Sequence, residues 1–146
     1  MVSGHDPQAE LLYRAEDSLG DVGPQLARWS EVESFVERVV ADRAWSERGP
    51  WIPLEVHVVR RSRSARYAAA TVGTDTVHIP DGQWRPLVVL HELTHLAAPG
   101  DEPHGPRFAG VELALVRAVL GFDVYGQLRA AFDEVGVRYD GRLAES

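Results

Sequence analysis

Three of the chain's six histidines fall within residues 91–108, HELTHLAAPGDEPHGPRF. His91 and His95 are four apart with Glu92 beside the first, and His104 follows after eight intervening residues. On a helix, residues four apart lie one turn apart on one face, with Cβ atoms ~5–6 Å from each other. Two imidazoles leaning together from that spacing reach one ion at the Zn–N distance of ~2.0–2.1 Å. Glu92 is turned ~100° from His91. It therefore stands beside the ion without joining the ligand pair, placed to accept a proton from a water whose pKa the metal lowers toward ~7. These residue types at this spacing describe a hydrolytic metal site, with Glu92 as the catalytic base.

His104 is the natural third ligand. Pro99-Gly100 lets the chain turn back, and three protein ligands with one open corner is the arrangement a catalytic zinc needs. Glu112 competes with it. Phe108, Leu115 and Val119 form one stripe of the following helix, and Glu112 projects from its middle, where a buried carboxylate needs a partner. Three roles stay open for it: a metal ligand, a group that orients a ligand histidine, or half of an ion pair with a distant arginine. The plainer reading of the same stretch is a half-exposed helix with a polar face and a solvated loop histidine. His57 and His78 read as sheet residues, and His5 lies in the terminal segment.

The elements that must position these groups are partly marked. A short helix around 8–18 has weak support. Ser30 and Glu33 fit a capping box, and Val32, Phe35, Val36, Val39 and Val40 then recur at helical spacing, predicting a helix over 31–47. LEVHVVR (54–60) reads as a strand. YAAATV (67–72) and TVHIP (76–80), separated by Gly-Thr-Asp, read as a hairpin with Val77 and Ile79 on one face. Pro86 suits the first turn of a helix running to about Ala98. A second helix is expected from Gly105-Pro106 to Leu120, stopped by Gly121, and a third over 123–135.

Composition bounds the rest. At 146 residues and 16.1 kDa the chain is long enough for one domain with its own core. Residues 1–146 therefore read as a single unit, with 1–23 able to lie at its periphery. The absence of cysteine excludes disulfides, thiolate nucleophiles and Cys-type zinc sites, so any metal rests on histidine and carboxylate. The net charge of −7 disfavours wholesale attraction to nucleic acid. All fifteen basic residues are arginine, and RRSRSAR (Arg60–Arg66) is the one stretch that could grip phosphates, although a solvated turn explains it as well. The first residues carry neither a basic nor an apolar leader pattern, and no apolar run approaches the ~20 residues of a membrane span, so a cytoplasmic protein with no membrane partner is expected.

The pair H91-E-L-T-H95 followed by H104-G-P-R-F108 resembles the zincin metallopeptidases, most closely the SprT-like branch, and also small HExxH metallohydrolases of actinobacteria. The close match spans about eighteen residues. The resemblance implies Zn²⁺ as cofactor, His91, His95 and His104 as ligands, and Glu92 as general base. It implies an α+β fold: a minimal zincin with a small, twisted, mainly antiparallel sheet packed on the HExxH helix, flanked by further helices. A peptide or protein substrate would pair with an edge strand, TVHIP or YAAATV. The expected activity is zinc-dependent hydrolysis of peptide bonds. A non-peptide substrate and a purely structural metal are the alternatives, and the oligomeric state stays open. Tyr67, Tyr125, Tyr139 and Arg107 are candidate oxyanion donors. No cysteine-rich zinc ribbon follows the motif, and a metzincin histidine six residues after the second is absent. A gluzincin-type glutamate ligand would fall on Glu112.

Overall fold

The structure is a computed structural model that describes residues 6–62 and 75–145. Among the described residues the element order is α1 (Ala9–Ser18), α2 (Trp29–Ala41), α3 (Arg43–Ser46), β1 (His57–Arg61), β2 (Thr76–Pro80), α4 (Pro86–Ala97), α5 (Pro106–Leu120), α6 (Phe122–Val135) and α7 (Gly141–Ala144).

Helix α5 is the centre of the molecule. Ten of its fifteen residues are buried, as a helix apolar on nearly every side must be, and it packs against α3, α4, α6 and α7. Gly110 makes room for the backbone that leads into α7: a Cβ there would stand 2.6 Å from the Asp140 carbonyl oxygen. Pro86 and Pro106 occupy the first turns of α4 and α5, where a missing N–H costs nothing. The C-terminal end of α4 is tied down from outside. Trp51 Nε1 donates to the Ala97 carbonyl at 2.8 Å, and Arg107 Nη1 to the Pro99 carbonyl at 2.9 Å. These bonds satisfy acceptors that a helix end leaves open.

Helix α2 begins earlier than the Ser30–Glu33 box predicts. Arg28 is the cap residue, and Glu31 Oε1 accepts from the backbone N–H groups of Arg28 and Ala27, both at 2.9 Å. The first four of its expected core residues are buried, and Val40 is partly so. The helix also stops sooner. Asp42 is extended and accepts a hydrogen bond from Ala44 N, which starts α3 as a separate turn. Helix α1 packs on α6, with Leu12 and Ala15 fully buried.

The expected α+β fold with a mainly antiparallel sheet does not form. The described chain is 56% helix and 8% strand. Its sheet has two strands, β1 and β2, which run parallel in register from His57↔Thr76 to Arg61↔Pro80. The antiparallel expectation rested on a local turn between YAAATV and TVHIP. The first of those segments lies outside the described residues, and β2 pairs with LEVHVVR, which precedes it by a connection long enough for parallel pairing. Val77 and Ile79 are fully buried, as their alternation predicts. Alternation fixes the buried face and says nothing of the partner or its direction. Strand β2 packs on α4, so the sheet does support the helix that carries HELTH. No helix among the described residues is long and apolar enough to cross a membrane.

Candidate metal centre

Three ligand-type side chains converge between α4 and the turn that leads into α5. One ring nitrogen from each of His91, His95 and His104 lies within 4.8 Å of the others. The His91 and His95 ring centroids are 5.1 Å apart, those of His91 and His104 are 5.0 Å apart, and those of His95 and His104 are 4.8 Å apart. Phe108, one turn into α5, stands 4.8 to 5.1 Å from all three rings and forms an apolar floor beneath them. His91 and His104 are buried, and the group could hold a metal ion.

The orientation of two of the rings is fixed by carboxylates. His91 Nδ1 lies 2.7 Å from Glu16 Oε2, and His104 Nδ1 lies 2.6 Å from Asp6 Oδ2. An ionised carboxylate only accepts, so where Glu16 and Asp6 are ionised each Nδ1 carries the hydrogen and the Nε2 of a neutral ring keeps its lone pair. Those two Nε2 atoms stand 3.2 Å apart. Two acceptors facing each other in a dry site repel unless a cation lies between them. Their separation also matches the ~3.3 Å edge of a tetrahedron drawn with Zn–N bonds of ~2.0–2.1 Å. The donor set and its spacing thus fit a divalent metal. Carboxylate-held Nδ1 with Nε2 turned to a common centre is the usual outer support of a metal-binding histidine.

Electrostatics point the same way. Burial, followed by the neighbouring His91 and His104, pushes His95 down to about 3. Burial lowers His104 as well, against the opposing hydrogen bond to Asp6. Both rings are therefore neutral at neutral pH, the form that binds metal. Burial raises Glu92 above the ordinary carboxyl range, with His91 partly offsetting it.

Glu112 occupies the Nδ1 side of His91, 3.9 Å from that nitrogen, and groups with Glu16 instead of with His95 and His104. It is fully buried, and neither of its oxygens receives a hydrogen bond. Burial, and after it the adjacent Glu16, push its carboxyl well above the usual range. Glu16 is itself raised to about 7 by burial, with the hydrogen bond from Glu112 holding it down. Glu16, His91 and Glu112 thus form a second buried group beside the histidine trio, sharing His91 with it.

The other candidates lie elsewhere. His57 sits 3.9 Å from Asp75 on the exposed sheet, and His78 Nδ1 accepts from Arg61 Nε. Tyr125 and Tyr139 both bind Arg129, and Arg107 stacks over Trp51. His5, Tyr67 and two of the four arginines of the 60–66 cluster, Arg63 and Arg66, lie outside the described residues.

Sequence reasoning missed Asp6, Gln8, Tyr13 and Glu16. All four lie in or just before α1, 75 or more residues from the histidines they serve. Gln8 uses its whole amide: Nε2 donates to the carbonyls of His104 and Arg138, each at 2.9 Å, and Oε1 accepts from Arg138 N. It pins the His104 turn to α1. The faint available signal was Gln8, Leu12, Ala15 and Glu16 recurring at helical spacing, an apolar stripe with polar members.

No known protein family, curated protein or solved structure matches the chain.

Proposed function

We propose that the chain is a zinc-dependent hydrolase acting on peptide bonds, with His91, His95 and His104 as ligands and Glu92 as general base. The observation that carries this reading is the 3.2 Å approach of two histidine Nε2 atoms whose Nδ1 atoms are both held by carboxylates. The HELTH pair followed by His104 and Phe108 adds the zincin resemblance. Zinc supplies Lewis acidity when bound: it acidifies water and polarises a carbonyl.

The chain's own residues do the rest. Phe108, buried against all three rings, shuts water out from the side of the trio that it covers, which strengthens charge interactions there. Glu92, adjacent in sequence to His91 but outside the ligand trio, takes the proton of the attacking water. It then returns that proton to the leaving amine nitrogen. Its raised pKa brings the carboxyl nearer the working pH, where proton transfer in both directions is efficient.

Glu92→Gln tests the assignment. Hydrolysis of a casein peptide library is expected to stop while zinc content stays near one equivalent, because the base is not a ligand. Loss of zinc in that variant would contradict the assigned role.

A further inference from the structure

Tyr13 has no part in the mechanism above, yet its hydroxyl reaches one of the inward-facing histidine nitrogens. Its hydroxyl oxygen lies 3.4 Å from His104 Nε2, the nitrogen turned inward by the Asp6 bond on the other side of the ring. Its ring is clamped by two candidate ligands: it stacks on His91 at 5.3 Å and 24°, and tilts against His104 at 5.2 Å and 58°. The residue is 45% exposed, so it forms the border between the buried trio and solvent. Helix α1 holds it there through Leu12 on one side and Glu16, bonded to His91, one turn later.

His104 Nε2 has two close polar neighbours, His91 Nε2 at 3.2 Å and the Tyr13 hydroxyl at 3.4 Å. Both distances approximate the ~3.3 Å edge of a tetrahedral zinc site. The first neighbour is a ligand. The second comes from a half-exposed residue and so reaches His104 from the solvent side of the trio.

From this placement we infer that Tyr13 is a further catalytic residue of the hydrolase proposed above, donating its hydroxyl hydrogen to the substrate's carbonyl oxygen as that oxygen gains negative charge. No proton leaves the phenol; the bond strengthens as charge develops and relaxes when the product carbonyl reforms. A preorganised donor aimed at the developing oxyanion is the effect that most accelerates acyl chemistry, and losing one such donor costs about 10²–10³ in kcat. None of the donors the sequence suggested lies at this position among the described residues.

Tyr13→Phe keeps the stacked ring and removes only the hydroxyl. In the zinc-loaded full chain, kcat on casein peptides is expected to fall by about a hundredfold or more with KM nearly unchanged. A readout independent of turnover accompanies it: inorganic phosphate, a tetrahedral oxyanion, should bind zinc-loaded Tyr13→Phe at least ~5-fold more weakly than the parent, in line with one lost hydrogen bond to a charged group. Zinc content is expected to stay the same. Unchanged kcat and phosphate affinity would overturn the inference, as would tighter phosphate binding, which would show the hydroxyl blocking the corner, or loss of zinc, which would make Tyr13 a structural support. The inference rests on the hydrolase reading, and the two fail separately. Retained hydrolysis in Glu92→Gln sinks the hydrolase mechanism, whereas an inactive Glu92→Gln beside a fully active Tyr13→Phe sinks only the role of Tyr13.

Discussion

Helices α4 and α1 both reach the metal centre, and they are built in opposite ways. Helix α4 is apolar on most of its surface, starts at a proline, and carries its two histidines in a pattern legible from five residues. Helix α1 buries only Leu12 and Ala15 and has no motif, yet Glu16 and the preceding Asp6 set the hydrogen-bonding state of two of the three histidines. The difference teaches that the atoms able to hold a metal and the atoms that aim them come from separate parts of the chain. Candidate ligands lie within fourteen positions, whereas their supports reach across 75 and 98 residues.

That contrast can be broken most forcefully at the ligands. Changing His104→Ala removes the only one of the three from outside α4, and zinc bound at micromolar free metal is expected to drop from about one equivalent to near zero. Unchanged occupancy would transfer the third ligand to another group, with Glu112 the first to examine. The supports come next. Asp6→Asn and Glu16→Gln should each lower zinc affinity about 10–100-fold while leaving the fold intact, measured by competition with a chelator. If both variants bind as tightly as the parent, α1 is packing material and the comparison collapses.

How much was legible follows the same division. The HELTH spacing, Pro86, Pro106 and Gly121 are local signals, and α4 and α5 form where those residues say they should. Glu112 was recognisable as a buried acid because it interrupts an apolar stripe. Its partner was not, since Glu16 lies far away in sequence and looks like any surface glutamate of a short amphipathic helix. The sheet failed for a related reason. Val77 and Ile79 announce a buried face, but parallel pairing of β2 with β1 is a long-range choice that no local turn encodes. At α2 the error was smaller: Glu31 caps backward onto Arg28, two residues before the serine that seemed to start the helix.

Two subtler experiments sharpen the picture. In the metal-free protein burial pushes His95 down to about 3, against the ordinary 6.5 of an unfolded chain. Acid therefore favours unfolding across that interval, and stability present above pH 6.5 is lost as pH falls toward 3. Relative to the parent, the metal-free His95→Gln variant should show a flatter decline of melting temperature over this range. An identical decline would place the buried uncharged ring elsewhere. The smallest effect is expected at Glu112. Glutamine there keeps the size of the side chain beside Glu16, so Glu112→Gln should retain zinc affinity within about threefold, whereas a true ligand would lose far more.

The most direct test of the whole account is elemental analysis of the full chain after equilibration with zinc and removal of excess. One zinc per chain, released on acidification as the histidines protonate, is the expected result. A chain that takes up no zinc, or one whose triple variant His91→Ala/His95→Ala/His104→Ala binds as much as the parent, would contradict it.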